Sequence, residues 1–183
     1  MDGIGHNGGP SLKGGSSWHR HCWSSARASL LPTLPVEVVR LRVKRAKALG
    51  LDYRTYAGVR AATGHDVVAF LFSSNALRVS VLRPAMPEIR AVKLAEVACG
   101  RLALAVAPLT PGMVEAANPV VLDAAHRAPY ALAGFGEARA VLRQALGKLP
   151  SDRVILVGDM TLEHDWCAAG RLAGYLSAER YFG

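Results

Sequence analysis

The chain has 183 residues, 51% of them hydrophobic and 20% charged, with a formal net charge of +8. That length suits one domain with an appendage, and the composition is too apolar for a disordered chain. No window approaches the roughly 18 uninterrupted apolar residues of a membrane helix, so no membrane partner is expected.

The charge is unevenly placed. Residues 1–65 hold ten Lys/Arg against three Asp/Glu, so nearly all of the net charge falls in the first third of the sequence. Like charges grouped on one segment attract a polyanion at long range, which points to nucleic acid or an acidic protein surface as partner. The three cysteines, Cys22, Cys99 and Cys167, form no CxxC pair and read as reduced thiols of a cytoplasmic protein.

Residues 1–17 contain six glycines and no apolar stretch, and read as a flexible Gly-rich tail rather than a secretory signal. Within them, Ile4 to Pro10 resembles a short N-terminal box of otherwise dissimilar bacterial proteins, and no chemistry attaches to it. Residues 18–65 read as a basic helical segment. A helix is expected to open near Pro35, with Glu37 at its positive end and Val36, Val39, Val43 and Ala46 on one stripe. Arg40, Lys44 and Lys47 fall on a separate ridge at i, i+4 and i+7. Gly50 ends this helix, and Asp52 caps a second one reaching Thr63 and Gly64.

Residues 66–183 read as an α/β domain, packed with 18–65 as one unit. Three apolar runs of strand length, 66–72, 101–107 and 153–157, are expected to be buried on both faces. Helical stripes lie between them: Ile89, Val92 and Ala95 in the first, Phe135, Ala138, Val141, Leu142, Ala145 and Leu146 in the second. A last helix is expected over about 162–176. Residues 76–83 alternate apolar and polar side chains and could add an antiparallel strand through a Ser73-Ser74-Asn75 turn. The expected fold is therefore α/β: a small three-layer domain with a parallel or mixed sheet of three to four strands, preceded by a basic helical pair.

Residues 46–59, with Ala46 four before Gly50, Leu49 and Leu51 flanking it, and Tyr56 and Val59 beyond, resemble a helix-turn-helix. Arg45, where an apolar residue is common, and Gly58 in the second helix depart from the pattern. The resemblance implies that Tyr53, Arg54 and Arg60 face a nucleic-acid groove while Arg40, Lys44 and Lys47 meet phosphates. For this stretch taken alone, an αα-hairpin packed on the sheet, with Tyr53 and Tyr56 as core or edge residues, is the reading placed ahead.

The run Val154 to Asp159, followed by Glu163, resembles the fourth motif of haloacid dehalogenase-like phosphohydrolases. That likeness implies magnesium held by Asp159 and Glu163, with Ser73 or Thr110 as phosphate-binding hydroxyl and Lys93 as the family's lysine. No DxD[TV] nucleophile motif follows any strand, which argues against catalysis, and Asp159 reads first as a cap of the last helix. Ser73, Ser74, Asn75, Thr110, Asp159 and Glu163 are the ligand-binding candidates at strand ends. His19, His21 and Cys22 with His164 and Cys167 could supply zinc ligands only if the two segments meet, and no metal residue is assigned. The leading functional expectation is a non-catalytic binding or regulatory protein for a polyanion, most plausibly nucleic acid. The alternatives are a small magnesium-dependent phosphohydrolase or phosphate-ligand binder, and a protein-interaction adaptor.

Overall fold

The computed structural model describes residues 34–183. The Gly-rich tail, the Ile4–Pro10 box, Trp18, Trp23 and the His19–Cys22 cluster lie outside the described residues. The chain divides into two units, residues 1–39 and 40–183. Of the first, only residues 34–39 are described, the run into a helix and its opening turn. The second unit carries the sheet and the candidate sites discussed below.

Two helices come first. α1 (Val36–Ala48) follows Pro35, carries Glu37 in its first turn and has Arg45 and Lys47 in its last, matching side-chain charge to the helix dipole at both ends. Of the expected stripe, Ala46 is buried, Val43 half-buried and Val36 exposed. Gly50 takes a left-handed φ of +66° and turns the chain. Asp52 then caps α2 (Tyr53–Thr63) by accepting from the Thr55 amide at 2.8 Å.

The sheet is entirely parallel and has five strands in the order β3-β2-β1-β4-β5. β1 (Ala69–Ser73), β2 (Gly100–Ala105) and β4 (Val154–Gly158) form its centre, and β3 (Ala124–Arg127) and β5 (Gly174–Ser177) its edges. Leu71 pairs with Leu102 on one side and Leu156 on the other, which sets the register. Alternation along the strands sends Phe70, Phe72, Ala103, Ala105, Ile155 and Val157 into one core and Ala69, Leu71, Leu102, Leu104, Val154 and Leu156 into the other. Both faces are covered, as a parallel sheet requires.

The connecting helices are α3 (Glu88–Ala95), α4 (Pro111–Ala117), α5 (Phe135–Leu146), α6 (Thr161–Gly170) and the short C-terminal α7 (Ala178–Phe182). α5 and α6 cover the second core. α7 closes the first by placing Tyr181, 2% exposed, against the rings of Phe70 and Phe72. Helices on both sides of a parallel sheet make the three-layer α/β class.

Several expectations need correction. The sheet has five strands rather than three or four, and it is not mixed. Residues 76–83 form no strand. Amides of Leu77 and Val79 donate back to the carbonyls of Ser73 and Ser74, folding the chain into turns, and only an isolated Ser80–Arg83 bridge is antiparallel. β1 could not accept another neighbour in any case, because β2 and β4 take both its edges. The last helix stops at Gly170, leaving 174–177 free to form β5. The expected stripe of α3 is also turned over. Ile89 and Val92 are 79% and 56% exposed, while Leu94 is buried and Ala91 packs against the core. Arg90 and Lys93 complete that inner face, holding their charged heads over the rings of Phe182 and Tyr181.

Candidate functional site

The basic ridge stands on α1. Arg40, Lys44 and Lys47 are all exposed, and Lys44 and Lys47 make no ion pair among the described residues. The neighbouring Arg45 behaves differently. Its guanidinium pairs with Asp66 at 2.9 Å and donates to the carbonyls of Val67 and Ala98. Tyr56 of α2 donates its hydroxyl to the other oxygen of Asp66. Burial opposes ionisation of Asp66, but the Tyr56 hydroxyl and the Arg45 guanidinium together outweigh it and hold the carboxyl below its ordinary range. One carboxylate thus fastens both helices to the start of β1, and Arg45, unusual for a helix-turn-helix, is here a fixing residue.

The turn itself has the resemblance's small and apolar residues in place: Ala46, Leu49, Leu51 and Tyr56 are buried, and Val59 packs against the same core. The outward face of α2 is plain. Arg54 is exposed, Tyr53 and Arg60 are half-buried, and the other exposed positions are Gly58, Ala61 and Ala62. Such a face offers Arg54 and the half-buried Arg60 as its long side chains, with small residues and backbone elsewhere.

The second set of candidates meets at the carboxyl ends of β1 and β4, where the strand order reverses. Glu163 in the first turn of α6 is 1% exposed. One of its oxygens accepts from the Ser73 hydroxyl and, at 2.8 Å, from the Asn75 side-chain amide. The other accepts from the backbone amides of Asp159 at 2.6 Å and Met160 at 3.0 Å. These two amides lead into α6, and Glu163 reaches back to them from its first turn. Gly158 is required beside them, because a Cβ there would lie 2.6 Å from the Tyr175 ring and 2.7 Å from Glu163 Oε2.

The remaining candidates divide. Ser74 accepts from the Val106 amide and ties β1 to the loop after β2. Thr110 caps α4 and takes no part in these contacts. The Asp159 side chain, 23% exposed, pairs with Arg78 at 3.2 Å. Lys93 donates to the Tyr181 carbonyl, away from Asp159. Ser73, Asn75, Asp159 and Glu163 are therefore brought together, with the carboxylate of Glu163 already surrounded by protein donors. Among the described residues no group of three or more His, Cys, Asp or Glu side chains is arranged to hold a metal ion, and no helix is long and apolar enough to cross a membrane.

Sequence reasoning passed over Arg78 and Arg90. Arg78 reads as the polar half of an alternating strand, whereas it sits at φ +56°, one of two described non-glycine residues with positive φ. The signal available was its place five residues after a strand end.

Compared with protein-family models, with curated proteins and with solved structures, the chain matches none.

Proposed function

We propose that this protein binds nucleic acid through the phosphate backbone, largely without reading sequence, by way of the ridge on α1. The observation that carries this reading is the exposure of Arg40, Lys44 and Lys47 together on one stripe of a helix whose Arg45 is bonded to the carbonyls of Val67 and Ala98. Three cations at i, i+4 and i+7 follow one line about 10 Å long, which suits successive phosphates. Arg54 at the start of α2 adds a fourth exposed cation beyond the turn. The alanines and glycine on the outer face of α2 favour close approach over base readout.

The test is fluorescence anisotropy with unrelated duplex and single-stranded oligonucleotides across a salt series. With three or four phosphates neutralised, affinity should fall by about 40- to 150-fold between 50 and 200 mM salt. The triple variant R40Q/K44Q/K47Q should bind more weakly to every sequence and flatten the logarithmic salt slope by about 2.7. Absence of binding at low salt, or a triple variant that binds as the wild type does, defeats the reading.

A further inference from the structure

A different constellation lies where β1 and β4 diverge, and it does not depend on the ridge. At a reversal of strand order the loops leave in opposite directions, and a crevice opens beyond the carboxyl ends of the strands. Arg78 pairs with Asp159 beyond those ends, and Arg90 is bonded to the loop that carries Arg78. Arg78 Nη1 stands 3.2 Å from Asp159, and the Arg78 side chain is 59% exposed. Arg90, from the first turn of α3, donates to the carbonyl of Ala76, two residues before Arg78, and lays its guanidinium 4.5 Å over the ring of Phe182. Burial first, and then the Arg78 charge, push the pKa of Arg90 down, with Asp159 partly compensating.

The backbone sharpens the assignment. The Val79 amide donates to the Ser74 carbonyl and the Arg78 amide to the Asn75 carbonyl, which forces residue 78 into the left-handed region. Glycine is the residue that region favours. An arginine kept there at conformational cost points to a use for its side chain. Each guanidinium carries five donors, and only one on each is engaged by a protein oxygen among the described residues.

We propose that this crevice binds a compact dianion, with paired oxygens of phosphate or dicarboxylate type, between Arg78 and Arg90. Asp159 is the internal carboxylate that such a ligand displaces. A guanidinium fork matches two oxygens of one anionic group, and two forks facing one crevice match a dianion better than a single charge. Ser73 and Glu163 do not contact the ligand. They hold the floor of the crevice, since Glu163 already fills the entrance of α6.

Isothermal titration calorimetry with inorganic phosphate and with malonate, each without and with magnesium, tests the proposal. Saturable binding of either anion without magnesium is expected. Phosphate alone binding identifies a phosphoryl-bearing ligand, and malonate alone identifies a dicarboxylate. R78G should weaken binding roughly tenfold or more while leaving the urea midpoint unchanged or higher, because glycine relieves the left-handed backbone. R90Q should also weaken it. D159N should bind severalfold more tightly, since it removes the competing charge. The ridge variant R40Q/K44Q/K47Q should bind both anions as the wild type does, which separates this site from the ridge. Binding that needs magnesium, an R78G variant with unchanged affinity, a D159N variant that binds more weakly, or no saturation with either anion each overturns the proposal.

Discussion

Ser73, at the end of β1, donates its hydroxyl to the buried carboxylate of Glu163, 90 residues later on α6. This bond ties the end of β1 to α6, the helix that follows β4, and Glu163 is a structural acceptor for four donors. Replacing it by glutamine keeps one oxygen but turns an NH2 group toward either the backbone amides or the Ser73 and Asn75 pair. E163Q should lose about 2–4 kcal/mol of stability, read from urea unfolding, because a buried donor then meets donors. A loss under about 1 kcal/mol would mean that the acceptor network is dispensable.

Two glycines make opposite predictions. A methyl group on Gly158 would collide with Tyr175 and Glu163, whereas nothing lies within 4 Å of a Cβ placed on Gly58 in the exposed face of α2. G158A should destabilise by about 1–3 kcal/mol through overpacking. G58A should stabilise by about 0.5–1 kcal/mol, since alanine loses less backbone entropy in a helix. Thermal unfolding of the two variants beside the wild type checks both signs. Equal midpoints would contradict the close approach at Gly158.

What the sequence revealed follows a physical boundary. β1, β2 and β4 are apolar on both faces, so their burial is written in consecutive residues. The ridge of α1 is equally local, since i, i+4 and i+7 suffice to define it. β3 reads Ala-Ala-His-Arg and β5 Gly-Tyr-Leu-Ser. Edge strands of four residues carry too little pattern to stand out, and only pairing with β2 and β4 makes them strands. The inner face of α3 is not legible in the sequence because the aliphatic stems of Arg90 and Lys93 replace hydrophobic side chains over Phe182 and Tyr181. The Ser73–Glu163 bond and the Arg78–Asp159 pair join positions far apart in the chain. No periodicity encodes them; they exist because the strand order places β4 beside β1.

The Asp66 carboxyl sets a pH dependence with a definite sign. Its pKa is lowered in the folded protein, so its contribution is present above the unfolded value of 3.8 and is lost as pH falls through the lower folded value. D66N should therefore be clearly less stable than the wild type near neutral pH, and the gap should narrow as pH falls below 3.8. Urea midpoints of both proteins across pH 3 to 7 measure this. A gap that stays constant would show that Tyr56 and Arg45 hold the asparagine as well as they hold the carboxylate.

Cys99 and Cys167 are half-buried, and burial pushes each thiol up to about 11, with Arg45 and Arg101 opposing it only partly at Cys99. Nucleophilic attack requires the thiolate, so both should be sluggish although neither is fully enclosed. In a C22S background, alkylation by iodoacetamide near pH 8 should run roughly a hundredfold slower in the folded protein than for a thiol of ordinary pKa near 8.5. Unfolding in urea should restore the ordinary rate. The two sites also differ in what surrounds them: Cys99 precedes β2 and lies near the Arg45 that fastens α1, while Cys167 belongs to α6 and packs against the opposite core. A D66N variant that frees Arg45 should therefore change labelling at Cys99 and leave Cys167 as it was. Equal acceleration at both would mean that the whole domain opens, rather than the helical pair alone.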